Sequence, residues 1–176
     1  MAMTPIRLPA AAVLAAALLL SSACGAQDDS GGTASSPEPT EPQSELIEYT
    51  EKPEESVGVA ITKVADVDKL KGAPDDFKQF IAGIIAAQVG MGTQDEDCPF
   101  TVGVDKIDTS GFAVGSMTSC GGAAFIWAKR DGLWQQIWGG QDIPACSDLT
   151  KFSVPTAIIG DKCYDERNNK VVEYTG

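Results

Sequence analysis

The sequence predicts an α+β fold: residues 57–176 form a single domain in which one helix packs on an antiparallel meander of four to five strands, held by two disulfides. Three observations lead there. Apolar residues recur at three- and four-residue spacing through 74–90. Four β-branched or aromatic runs then follow one another across short turns, and four cysteines lie downstream of an export-type leader. A chain of 176 residues has room for one core plus accessory segments, and little room for a second full-sized domain.

The first element is the leader. Residues 1–7 carry one charge, Arg7, and residues 8–20, LPAAAVLAAALLL, make an apolar run of 13, too short to span a bilayer easily and suited to a signal-peptide core. Ser21, Ser22, Ala23 and Cys24 follow. Small residues ending in a cysteine resemble the lipobox of bacterial lipoproteins, with Leu20 one position further out than the usual leucine. That resemblance implies removal of residues 1–23 and lipid attachment to Cys24, which becomes the new amino terminus. An ordinary signal peptide cut nearby and a retained anchor helix are the competing readings.

Residues 24–56 read as a lipid-anchor cysteine and a disordered acidic tether. Four prolines, nine acids and one lysine between 25 and 56 leave a net charge of −8 and too little apolar surface to offset chain ordering. Leu46, Ile47 and Tyr49 are the one apolar island, with the option of docking on the fold.

VGVAIT at 57–62 is the candidate first strand, and the polar stretch KVADVDKLKGA leads to Pro74. The helix PDDFKQFIAGIIAAQVG places Pro74 at its first position and Asp75 and Asp76 in its first turn, where the positive helix end favours them. Phe77, Phe80, Ile81, Ile84 and Ile85 line its apolar stripe, and Gly90 and Gly92 offer left-handed residues to end it. Strands are expected at 99–107, 112–119, 122–130 and 133–138, joined by turns that include DTSG and the hairpin signal Asp131-Gly132.

If Arg130 pairs with Leu133, strict alternation sets Trp127 opposite Gln136 and Phe125 opposite Trp138. One face then carries Phe125, Trp127, Lys129, Trp134, Gln136 and Trp138, the other Ala124, Ile126, Ala128, Leu133, Gln135 and Ile137. The smaller aliphatic face fits beneath the helix more easily. That leaves Trp127, Trp134 and Trp138, with the Gln136 amide between them, as a recognition surface or as a face packed under the tether or the C-terminal segment.

Cys24 assigned to lipid leaves Cys98, Cys120, Cys146 and Cys163, which permit three pairings. A hairpin centred near Thr109 brings Cys98 opposite or diagonal to Cys120, so Cys146 pairs with Cys163 by remainder. The second bridge closes a segment with a short helix after Ser147 and another after Pro155. No C-x-x-C occurs, which disfavours thiol oxidoreductase chemistry.

The chain contains no histidine, so histidine-based triads and histidine-rich metal sites are excluded. Asp95, Glu96 and Asp97, and Asp161, Asp165 and Glu166, lack calcium-loop spacing and read as solvated charge. Asp142 and Asp148 make an acid/base pair only if the fold brings them to glycosidase-like separation. The glycine doublets have no phosphate-cradling frame, so no metal and no cofactor is expected. A net charge of −12 with scattered basic residues opposes nucleic-acid binding.

The strand, helix and four-strand meander resemble cystatin-like folds in outline, without their protease-binding wedge sequences. The lipobox-like Cys24, the acidic Ser/Pro tether and the Trp-rich meander with its four cysteines together resemble the small, mostly uncharacterised envelope lipoproteins of actinobacteria. That resemblance implies an outward-facing membrane anchor and no assigned activity. The functional expectation is a non-catalytic binding or interaction module on the extracytoplasmic face of the cell membrane. Its partner would be an envelope protein or a small ligand. A carboxylate-dependent envelope hydrolase and a purely structural lipoprotein are the alternatives.

Overall fold

The computed structural model describes residues 44–49, 58–91 and 97–176; the leader, Cys24 and most of the tether lie outside the described residues. Element order within them is β1 (Leu46–Glu48), β2 (Val59–Ile61), a 3₁₀ helix (Val64–Lys69), α1 (Asp75–Gly90), β3 (Thr101–Asp108), β4 (Phe112–Thr118), β5 (Gly122–Arg130), β6 (Leu133–Gly140), α2 (Cys146–Phe152), α3 (Thr156–Ile159), β7 (Lys162–Asp165) and β8 (Lys170–Glu173). The expected α+β class and the four-strand meander are present, but four helical elements replace the single expected helix. The short helices after Ser147 and Pro155 correspond to α2 and α3; the β7–β8 hairpin and the 3₁₀ helix had no counterpart in the sequence reading.

The 3₁₀ helix forms where the sequence looks merely polar because one carboxylate organises it. Asp66 Oδ2 accepts from the Thr62 amide at 3.1 Å, the Thr62 hydroxyl at 3.0 Å and the Lys63 amide at 3.2 Å, while Lys69 Nζ lies 3.0 Å from Oδ1. Lys69 and these donors hold the Asp66 carboxyl well below the usual carboxylate range. A depressed folded value means that its contribution is complete above the unfolded aspartate value of about 3.9 and is lost as pH falls toward the folded value. Asp66→Asn is therefore expected to lose less stability on acidification below about pH 4 than the parent does. Denaturant unfolding across that range checks it, and parallel pH profiles for the two proteins would refute it.

Helix α1 starts from Pro74, whose carbonyl accepts the Lys78 amide at 3.1 Å, so the proline caps the helix instead of occupying its first turn. Phe77, Ile81 and Ile85 are buried, with Phe80 and Ile84 packed against the same core, as the stripe predicts. The glycine ending is corrected. The ladder continues through Gly90, Met91 donates to the Ala87 carbonyl at 3.2 Å in a right-handed conformation, and Gly92 lies outside the described residues. Lys129 of β5 pairs with Asp76 in the first turn of α1.

The sheet runs β1-β3-β4-β5-β6, all neighbours antiparallel, with β2 also paired to β3. β1 and β2 thus share one edge of β3: β1 faces Lys106 to Asp108, and β2 faces Val102 to Val104. The apolar island of the acidic segment docks on the fold, since Ile47 pairs with Ile107 and the Tyr49 hydroxyl donates to the Lys71 carbonyl at 2.9 Å. Between the two short strands the register of β3 against β4 shifts, leaving Asp105 unpaired as a bulge.

Two cores result. α1 covers one face of the sheet, enclosing Ile61, Leu70, Val102, Val104 and Ile107. On the other face Leu149, Val154, Ile158 and Tyr174 of the C-terminal segment close over Ile126. That layer is tied down by the Tyr174 hydroxyl donating to Val154 at 2.9 Å and by the Arg130 guanidinium donating to the Phe152 carbonyl. Cys98 is bonded to Cys120 and Cys146 to Cys163, the pairing argued from the meander.

Candidate functional site

The β5–β6 hairpin follows the expected register at its tip. Arg130 pairs with Leu133, Lys129 with Trp134, Ala128 with Gln135 and Trp127 with Gln136. There the ladder shifts by one residue: Ile126 pairs with Trp138, Phe125 with Gly139, and Ile137 is the extra residue. Because side chains alternate with period two, one inserted residue reverses every side chain beyond it. The three indoles therefore do not share a face.

Trp127, at 0% exposure, and Trp134, at 8%, belong to the core beneath α1. The Phe77 ring meets them edge-on, at 4.7 Å from Trp134 and 6.1 Å from Trp127, while Phe125 stacks on Trp127 at 6.3 Å. The larger face, not the aliphatic one, receives the helix. Small residues on β4 make room for it: Ala113 lies opposite Trp127, and a Cβ on Gly115 would stand 3.0 Å from the Trp127 ring and 2.0 Å from the Gly103 carbonyl oxygen. Gln136 is exposed on the edge strand and is not an amide set between indoles.

Trp138 is turned to the opposite face, half-buried beside Ile126. It lines a groove of about 660 Å³ between the sheet and the C-terminal layer, together with Val114, Ile126, Pro144, Ile158 and Ile159. Gly140 permits this placement, because a Cβ there would come within 3.0 Å of the indole. The far wall is fixed by backbone and covalent ties. The Tyr164 backbone amide donates to the Pro144 carbonyl at 2.9 Å, Ala145 bridges to Tyr164, and the Cys146–Cys163 disulfide joins α2 to β7. Gln141 at the rim donates to the Gly122 carbonyl at 2.8 Å.

Four charged residues border the groove: Asp105, Lys106, Asp142 and Lys162. Lys106 pairs with Glu48 of β1 at 2.8 Å. Asp105, on its bulge, accepts the Gly58 amide at 2.8 Å through Oδ1, and burial pushes its carboxyl above the usual range. Sequence reasoning missed Asp105 because nothing in TVGVDKID announces a bulge. It also missed the groove, whose walls come from the β3–β6 meander and from the segment that follows it.

The remaining candidates do not converge. Asp142 borders the groove, whereas Asp148 sits in the first turn of α2 and is not part of the lining. The Asp165 carboxylate is used locally, accepting the Arg167 amide at 2.9 Å and the Asn168 side chain at 2.6 Å to shape the β7–β8 turn. Glu166 accepts the Ser147 hydroxyl at 3.1 Å, and Asp161 is exposed. Asp97 is exposed, while Asp95 and Glu96 lie outside the described residues. Among the described residues no cluster of three metal-ligating side chains occurs. Compared with family models, curated proteins and solved structures, the chain matches none.

Proposed function

We propose that the chain is an extracytoplasmic binding module, held at the outer face of the cell membrane through an acylated Cys24, that takes an apolar ligand into the groove beside Trp138. The groove carries this reading: it is concave, mostly aliphatic, and bordered by a few polar groups, the usual make-up of a small-molecule site. The leader and Cys24 support the location, and two disulfides suit an oxidising compartment. The order β2, α1, then the meander β3 to β6 supports a cystatin-like outline, to which the C-terminal layer is an addition. Trp138, the one indole with appreciable exposure, replaces the three-indole face as the aromatic contact.

The test has two arms. The membrane fraction should yield a mature chain whose mass shows a lipid on Cys24, and Cys24→Ala should abolish that species. An uncharged apolar fluorophore such as N-phenylnaphthylamine should bind saturably and quench Trp138. Ala124 is exposed on the groove floor, so Ala124→Phe fills the space without opening the core. That variant is expected to weaken the fluorophore by about tenfold or more, the loss of roughly two buried methylenes' worth of contact, with little change in melting temperature. Equal binding by parent and Ala124→Phe would remove the groove as the site.

A further inference from the structure

Building on that groove, we infer that it selects an aliphatic ligand bearing a protonated amine, with the Asp105 carboxylate receiving the ammonium. The walls supply the apolar half of this recognition, since Val114, Ile126, Ile158 and Ile159 offer branched hydrocarbon and Trp138 a flat edge. They offer few donors of the kind a sugar or nucleotide needs. The charges decide the other half.

Lys106 is occupied by Glu48, so it is a poor receptor for an anion. Asp105 spends Oδ1 on the Gly58 amide and leaves Oδ2 without a hydrogen-bond partner among the described residues, and the nearby charge of Lys106 offsets only part of the burial. A half-buried carboxylate in that position is under-solvated, and a cation brought to it restores what burial removed. The lining carries two carboxylates, Asp105 and Asp142, and two lysines, Lys106 and Lys162, of which Lys106 is neutralised by Glu48. The whole chain, at a net −12, also draws cations and repels anions at long range. A fatty carboxylate entering the same groove would bring a second negative charge toward Asp105.

Three probes of equal chain length separate the possibilities: octylammonium, octanol and octanoate, titrated against the full chain. Trp138 emission reports on the groove, because Trp127 and Trp134 are enclosed. Octylammonium is expected to bind about ten- to a hundredfold more tightly than octanol, the range of one charge-assisted hydrogen bond. Octanoate is expected to bind no better than octanol. Asp105→Asn keeps an oxygen for the Gly58 amide and should bring octylammonium to the octanol level while octanol itself is unaffected. Asp142→Asn should keep most of the preference. Equal binding of all three probes, abolished by Ala124→Phe, would overturn the ammonium inference and leave the apolar groove standing, as would tightest binding by octanoate. No change in Trp138 emission with any probe would overturn both.

Discussion

Trp127→Ala is expected to lower folding free energy by about 3–5 kcal/mol, out of the roughly 5–15 kcal/mol that native domains usually have. The indole has 0% exposure and sits where α1 meets the sheet, between the edge of Phe77 and the stacked ring of Phe125. Its removal leaves a void at the centre of the α1 interface, which partial relaxation of the packed neighbours does not close. Trp138→Ala removes a half-buried ring from the rim of the second core and is expected to cost clearly less. Urea unfolding of both variants gives the comparison. A loss at Trp127 no larger than that at Trp138 would contradict the placement of the indoles on opposite faces.

Replacing Cys146 and Cys163 together by serine is expected to cost about 3 kcal/mol, the chain-entropy value for closing a loop of that size. The bridged residues are 17 apart in sequence. The effect extends beyond stability, because this bridge ties together the chain next to Pro144 and the chain next to Lys162, both of which line the groove. Binding of the apolar fluorophore should fall in that double variant. Opening Cys98–Cys120, 22 residues apart near the open end of the β3–β4 hairpin, should cost a comparable amount of stability and leave binding intact. Equal binding losses in the two double variants would show that the groove depends on global stability rather than on its wall.

The sequence made the α1 stripe legible because a period near 3.6 needs only residue types, and it made the hairpin tip legible because Asp131 and Gly132 both take positive φ. Short turns also sufficed to choose the disulfide partners. The site was harder to read. Ile137 looks like any other strand residue, yet the shift beside it moves Trp138 to the opposite face. Asp105 is hidden in the same way, since a bulge is a property of two strands together. The β7–β8 hairpin is marked only by Asp165 and by Asn169 at a φ of 52°. β1 was concealed by its surroundings: three apolar residues within an acidic run do not predict a strand, but the vacant edge of β3 turns them into one.

The irregularity at Ile137 also shapes how the sheet ends. β6 is the last strand of the sheet, and its outer edge is where another polypeptide could add itself by backbone pairing. A kinked, over-twisted edge is a poor template for such growth, and β1 and β2 already fill the opposite edge of β3. The residue that parts the indoles thus also discourages end-to-end sheet stacking, so crowding need not lead to fibrillar assembly.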